Sequence, residues 1–393
     1  MRLNIRVSRT MNGPEAPLGR FERYLIRVPE KMRLKHNLGI GDPLHLKTVD
    51  GEKLVLTVQP ALLKDIFYDE DSCYVIKKVF TRVNLTDGKR KIEEKVKLLK
   101  SITLGCDPEF FMVDKHNNYF MSAGSIFGGK RTRLGSDCGL VELRPDPAKT
   151  EDEVVQRMQR LMRQANQKLF SAMRTRHHYR GRELDFIARS SLGRKNAGFH
   201  LHFGLHPRLK RRDIATTTFL RQVVNVLDFY VSLPASIPEG EEDCGRRSGG
   251  TRYGRPGDFK NSNGITLEYR VPGGYHMRSP MLARGLIGLG ALVVEDVLSR
   301  AKIITHGFKQ LSNFSTYDHV RELYPRIPDR QMVVRSIISK KGLLAQRYLD
   351  NIASDLADML GFDNHAESVM EFIEYIASDD HNISEIMSEN WSY

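Results

Sequence analysis

The sequence predicts an α+β protein: an open antiparallel sheet with flanking helices, preceded by a small N-terminal β domain and followed by a helical C-terminal segment. Three observations carry this expectation. Four short segments between residues 106 and 271 alternate apolar and polar residues with the two-residue period of a strand. Helix-start signals open apolar-periodic runs between and after them. The first hundred residues show short alternating runs around an Asp-Gly turn. The expected units are residues 1–98, 99–300 and 301–393.

In the first unit, Tyr24 to Val28 reads as a strand, and Pro29 stands where a helix can start. Glu30 to Leu38 then reads as a short basic helix ended by Gly39. LHLKTV and KLVLTV are two alternating runs joined through Asp50-Gly51, a hairpin signal. Residues 85–98, NLTDGKRKIEEKVK, are charge-dense without apolar periodicity and read as a linker. Beyond it, Thr150-Glu-Asp-Glu153 is a capping-box start, with Val154, Val155, Met158, Leu161, Met162, Ala165 and Leu169 at helical spacing. Further helices are expected from about Ile214 to Leu233 and from Pro280 to Ser299, and the pattern after residue 300 is helical.

With 393 residues and 40% hydrophobic content, the chain can bury one large core or two moderate ones. Cys73, Cys106, Cys138 and Cys244 are widely spaced and form no CxxC pair, which points to a reducing compartment. MRLNIRVSRTMNG lacks the apolar core of a signal peptide, and no run approaches the roughly 18 apolar residues of a membrane span. A soluble cytoplasmic protein without a membrane partner is expected. The net charge of +13 is uneven: Lys+Arg against Asp+Glu is 21 to 13 over residues 1–100, 31 to 21 over 101–300 and 9 to 14 over 301–393. Two basic units thus precede an acidic end. A basic surface attracts polyanions in general, so charge alone leaves ATP, nucleic acid and acidic peptides open as partners.

The four alternating segments are Cys106 to Met112, Leu140 to Arg144, Gly198 to Phe203, and Thr266 to Val271. Residues two apart on a strand share a face, so Asp107 with Glu109, Glu142 with Arg144, His200 with His202, and Glu268 with Arg270 each point one way. The opposite face is apolar in every case. The wet face of an ordinary half-buried sheet alternates in the same manner. Such faces favour Lys, Thr, Ser and Gln, however, whereas this one gathers carboxylates, histidines and arginines. Hard divalent ions want carboxylate oxygens and tolerate imidazole, while phosphate wants arginine. No cysteine cluster accompanies the histidines, so a zinc site is not indicated.

A second basic cluster, Arg246, Arg247, Arg252, Arg255 and Lys260, lies in the glycine-rich run CGRRSGGTRYGRPGDFKNSNG, and Lys130 lies in the basic turn GGKRTR. Glycine frees a backbone to wrap an anion and arginine offers planar donors to phosphoryl oxygens; exposed solvated loops would look alike. GxxxxGK[ST] is absent, as is a GxGxxG after a strand. Any nucleotide must be held by the sheet and these loops.

In order, the segments resemble the glutamine synthetase and glutamate-cysteine ligase superfamily. LGCDPEFFMVD is similar to its Glu-x-Glu strand, with Asp107 in place of the first glutamate; GLVELRPDP to its middle acidic strand; GFHLHFG to its Gly-x-His-x-His strand; and TLEYRVPGG to its Glu-x-Arg strand. The DPEF opening, the RYGxxGD loop and the EYR strand look closer still to the bacteriophage-encoded carboxylate-amine ligases of type 2. The resemblance implies a glutamine-synthetase-like catalytic domain over residues 99–300. It implies Asp107, Glu109, Glu142, His200 and Glu268 as ligands of Mg²⁺ or Mn²⁺. His202, Arg246, Arg247, Arg252, Arg255, Lys260 and Lys130 would contact ATP, with Arg270, Arg255 and Glu268 in the chemistry. The implied reaction joins a carboxylate to an amine through an acyl phosphate, both substrates being small molecules or peptides, in the host cytoplasm if the chain is phage-encoded. Only Asp137 is available where the family often carries a further glutamate before Glu142. That departure and the shortened Asp107 leave the number of metals open.

Two alternatives are a guanidino-kinase-like phosphotransferase and a non-enzymatic DNA-binding or virion component. RYLIRVPEKMRLKHNLGIGDPLHLKTVDGEKLVLTV resembles the swapped-hairpin barrels of AbrB-like regulators, which implies a homo-oligomer through the N-terminal domain and keeps DNA open as a partner.

Overall fold

The computed structural model describes residues 4–7, 25–28, 43–47, 53–60 and 72–75 of the first hundred. Beyond them it describes 102–129, 132–205, 214–248, 253–262, 266–301, 314–339, 343–378 and 380–391. The chain divides into two compact units, Met1–Val96 with Ala353–Asp358, and Lys97–Ile352 with Met359–Tyr393.

The first unit contains strands β1 (Asn4–Val7), β2 (Leu25–Val28), β3 (Pro43–Lys47), β4 (Lys53–Pro60) and β5 (Ser72–Val75), in the sheet order β1-β5-β2-β4-β3. β3 and β4 pair antiparallel from Pro43↔Thr57 to Lys47↔Lys53, the hairpin pairing expected from the sequence signal Asp50-Gly51, which itself lies outside the described residues. The helix expected over Glu30 to Leu38 lies outside the described residues.

The second unit is built on β6 (Thr103–Asp114), a strand of 12 residues that pairs with four others. β7 (Tyr119–Met121), β8 (Leu134–Asp137), β9 (Leu140–Leu143), β10 (Leu184–Ile187), the short β11 (Ser191–Leu192) and β12 (Lys195–Asn196), β13 (Phe199–Gly204), β14 (Phe259–Ser262) and β15 (Thr266–Tyr269) follow. The main sheet runs β14-β15-β13-β6-β9-β8, with β7 and β10 also on β6. Every pairing within it is antiparallel. Mixed helix and antiparallel sheet is therefore the architecture, as expected.

β6 carries Pro108 in mid-strand, where a missing N–H normally breaks a ladder. Here β6 pairs with β9 at Glu109↔Glu142 and Phe110↔Val141, then meets that side of the chain again only at Leu104↔Ala148. Pro108 therefore lies where no donor is required on that side. Pro145 and Pro147, which offer no N–H, stand opposite. The two chains diverge, and a cavity opens between them.

One face of the sheet is apolar and buried: Cys106, Phe110, Val141, Leu201, Phe203, Leu267 and Tyr269. It is covered by α1 (Glu151–Thr175) and α3 (Pro280–Arg300). Thr150 caps α1 by accepting from the Glu153 N–H, and Ser279 caps α3 ahead of Pro280 by accepting from the Leu282 N–H. α3 is buried on nearly every side, because α7 (Phe362–Ala377) packs on it opposite the sheet. A side chain at Gly285 would collide with Phe372, and one at Gly290 with Leu201 and Phe203. Each mid-helix glycine forfeits about 1 kcal/mol of helix propensity, which this close approach offsets. The helices after residue 300 also include α4 (Tyr317–Leu323), α5 (Arg330–Ile338) and α6 (Leu349–Asp358).

The helix expected from Ile214 to Leu233 is interrupted. α2 (Ile214–Leu227) passes into a wider π turn, Asp228–Ser232, before a last turn, Leu233–Ala235. The Tyr269 hydroxyl lies 2.6 Å from Asp228 Oδ1 and 2.5 Å from Ser232 Oγ, and Arg330 donates to Asp228 Oδ2 at 2.5 Å. The wider turn brings both Asp228 and Ser232 to one phenol, a buried constraint that apolar periodicity does not encode. Among the described residues no helix is long and apolar enough to cross a membrane.

Glu151 of α1, Glu295 of α3 and His365 of α7 meet in the interior, with His365 Nδ1 3.0 Å from Glu151 and Nε2 3.5 Å from Glu295. Burial opposes charge on His365, but the two carboxylates outweigh it and push it up to about 9. Its unfolded value is about 6.5, so this contribution is complete below pH 6.5 and is lost as pH rises through about 9. Wild-type protein is expected to lose on the order of 2–3 kcal/mol between pH 6.5 and 9.5 in denaturant unfolding, and His365→Gln to lack that slope. Parallel pH profiles for the two proteins would contradict this.

Candidate metal and phosphate site

The opposite face of the sheet carries the polar residues, and the register sets them in rows. Lys260, Glu268, His202 and Gly105 form one row across β14, β15, β13 and β6. His200 and Asp107 form the next, and Glu109 and Glu142 the third, across β6 and β9. Five candidate ligands from four sequence segments thus share one surface. Asp107, His200 and Glu268 each offer a ligand atom within 4.8 Å of the others. Glu109 and Glu142 lie directly opposite one another in the adjoining row and are both buried.

Asp107 Oδ1 is 2.9 Å from His200 Nδ1 and 3.0 Å from His202 Nε2. Burial alone would raise the Asp107 carboxyl, but the two imidazoles prevail and hold it well below the usual range. Glu142 goes the other way. Burial, then Asp107, Glu109 and Asp137, push it up to about 8 against the pull of Arg144, with which it is ion-paired. Raised affinity for a proton in a carboxylate cluster signals a deficit of positive charge, which a divalent cation would fill.

The main group that sequence reasoning missed is Tyr253. Its hydroxyl is 2.8 Å from His200 Nε2 and 3.1 Å from each carboxylate oxygen of Glu109, whose Oε2 also accepts from the Gly198 N–H at 2.8 Å. The Arg246 and Arg270 guanidinium carbons lie over its ring at 4.6 and 4.4 Å. The RYGxxGD run was the available signal: Gly254 takes φ +78, and a side chain there would strike Arg246. Only the described geometry reveals where the tyrosine points.

The basic residues separate. Arg270 is half-buried just past the end of β15, with Nε 3.4 Å from Glu268 and Nη1 3.9 Å from Asp258. Lys260 is exposed, with Nζ 3.6 Å from Glu268. Arg246 is fully buried behind the site, 3.5 Å from His200 Nε2, and donates to the Arg270 carbonyl at 2.7 Å. Arg255 is exposed on the loop before Asp258. Lys130 and Arg252 lie outside the described residues. Arg247 turns away from the others: it is buried, ion-paired with Glu239, and donates to the Ile337 carbonyl at 2.9 Å. Burial pushes it down to about 10, so it stays charged at neutral pH. The structure therefore gives Arg247 an interior partner where the sequence suggested a phosphate. Arg247→Met is expected to destabilise the fold by about 3–5 kcal/mol, because Glu239 is left buried without its countercharge, and to leave any ATP binding detected in the wild type unchanged in the folded variant. Denaturant unfolding and calorimetry measure the two effects separately.

Beside the Asp107 and His202 rows lies a cavity of about 290 Å³, walled by Thr103 to Asp107 of β6 and by Arg144, Pro145 and Pro147 across the gap in the sheet. Its lining includes Asp107 of the ligand cluster and the neighbouring His202.

One sheet face thus sets carboxylates and imidazoles beside the half-buried Arg270, groups whose chemistry suits a cation and an anion. The chain belongs to the family described as phage phiEco32-like COOH.NH2 ligase-type 2, which matches residues 104–380 and so spans the sheet, its helices and every described site residue. It is thus a member of a carboxylate-amine ligase family. No curated protein matches this chain. Among solved structures it is distantly similar to the complex between prokaryotic ubiquitin-like protein Pup and its ligase PafA. The identity is 9%, over 76% of this chain and 67% of that one, with a TM-score of 0.43. It is also distantly similar to a bifunctional glutathione synthetase from Pasteurella multocida, at 12% identity over 75% of this chain and 54% of that one, with a TM-score of 0.34. The chain thus spans about half the length of the synthetase.

Proposed function

We propose that this chain is an ATP-dependent ligase that joins a carboxylate to an amine through an acyl phosphate, on a sheet of the glutamine synthetase type. The observation that carries the reading is the convergence of Asp107, His200 and Glu268 within 4.8 Å, beside the facing pair Glu109 and Glu142. Oxygen-rich donors with one imidazole suit Mg²⁺ or Mn²⁺, and the rise of Glu142 to about 8 fits a cluster short of positive charge. Asp107, His200 and Glu268 would hold one ion, and Glu109 and Glu142 a second. Bound Mg²⁺ or Mn²⁺ supplies neutralisation of phosphate charge.

Amide formation from a free carboxylate is uphill in water, so the acid must first be activated. Its oxygen attacks the γ-phosphorus of ATP and ADP leaves; the amine nitrogen then attacks the acyl carbon, forming the amide as inorganic phosphate and a proton depart. In this reading His202, in the wall of the cavity, faces the nucleotide phosphates. Arg270 stabilises the transferring phosphoryl group from the rim, with Arg255 contributing from its exposed loop. Arg246 acts from behind, bracing Arg270 through its carbonyl. The residues 1–98 are proposed as a separate basic β domain that mediates self-association, with nucleic acid an open partner, and the cytoplasm as the compartment.

Hydroxylamine tests the intermediate. With ATP, Mg²⁺ and the right acid, it is expected to give a hydroxamate and an equal amount of inorganic phosphate. Glu268→Ala should abolish both products, and Arg270→Lys, which keeps the charge but loses the planar two-point contact, should slow them about 100-fold. A stable phosphorylated guanidine in place of both would make the chain a phosphotransferase instead.

A further inference from the structure

Tyr253 has no part in that scheme, yet its hydroxyl meets two of the candidate ligands, His200 and Glu109. His200 directs Nδ1 towards Asp107, inside the candidate ligand cluster, and leaves Nε2 on the far side of its ring. That second nitrogen is 2.8 Å from the Tyr253 hydroxyl. An imidazole that binds a metal through one nitrogen is commonly oriented by a partner on the other. The same hydroxyl lies 3.1 Å from both oxygens of Glu109. One phenol therefore links a member of the Asp107–His200–Glu268 cluster to a member of the Glu109–Glu142 pair.

The phenol is itself held. Its ring meets that of His200 edge-on, with centroids 5.3 Å apart and planes at 86°. Arg246 and Arg270 lie over it, and Arg246 is tied to the Arg270 backbone. Gly254, in the left-handed region, accepts the turn that sends Tyr253 inward, and its N–H donates to Asp258 at 2.9 Å.

We propose that Tyr253 is a positioning residue of the ligase site, whose hydroxyl fixes the His200 ring and the Glu109 carboxylate in the orientation that the two cation positions require. It acts through these ligands and not on the reacting atoms. The proposal rests on the metal reading given above, and its test separates the two.

Mn²⁺ without nucleotide is titrated into the full chain, the Tyr253→Phe variant and the Glu268→Ala variant by calorimetry, with the electron paramagnetic resonance spectrum of the bound ion recorded alongside. Tyr253→Phe keeps the ring over which the arginines lie and removes only the hydroxyl. It is expected to bind Mn²⁺ about 10–100-fold more weakly, with an altered spectrum, while the unfolding midpoint of the metal-free protein moves by less than about 4 °C. Unchanged affinity and spectrum would overturn the proposal. So would tighter binding, which would mean that the hydroxyl obstructs the ion. A loss of affinity accompanied by a large fall in the midpoint would make Tyr253 a purely structural residue and also overturn it. Absence of Mn²⁺ binding in the wild type, or binding that Glu268→Ala leaves intact, would remove the metal reading itself.

Discussion

Concentrating buried carboxylates on one face of a sheet is the constraint around which this structure is arranged. Glu109 and Glu142 face each other across β6 and β9, and Asp107 and Glu268 stand in adjoining rows. Two full charges about 5 Å apart would repel by ~3 kcal/mol at an effective dielectric constant of about 20, a tension that shows in the Glu142 carboxyl being pushed up to about 8. The other face decides the outcome. Phe110, Val141, Leu201, Leu267 and Tyr269 are each fully buried beneath helices, and each contributes about 1.5–3 kcal/mol by leaving water. The apolar side holds the strands in register, and the polar side is thereby forced together.

That repulsion also accounts for the company the carboxylates keep. His200 and His202 both address Asp107, Arg144 pairs with Glu142, and Arg270 lies beside Glu268. Glu109 is met by a backbone N–H and the Tyr253 hydroxyl, with the buried Arg246 charge acting on it as well. Removing a cationic partner and removing a carboxylate are therefore unlike perturbations. The first uncovers a buried charge, whereas the second relieves crowding, and the fold tolerates the second better.

The sheet and its polar face were legible in the sequence because a strand has a two-residue period, which puts Asp107 with Glu109 and His200 with His202 without knowledge of the fold. Which row each residue joins depends on register, and register comes from pairings such as His200↔Asp107 between residues 93 positions apart. Loop side chains were less legible. Arg246 and Arg247 are neighbours in one basic run, yet one backs the site and the other is buried against Glu239, because a single helical turn sends adjacent side chains in different directions. The π turn at Asp228–Ser232 was invisible for a related reason: its cause, the Tyr269 hydroxyl, sits on another strand.

The central place of β6 has a consequence for synthesis. This strand leaves the ribosome first among those that carry the ligands, yet its neighbour β13 begins at Phe199, and β15, which bears Glu268, begins at Thr266. Such distant pairings make loop closure slow to reward. A nascent chain of 250 residues holds Asp107, Glu109, Glu142 and both histidines but lacks the strand that completes the cluster. The candidate cluster is thereby assembled only after most of the protein has been made.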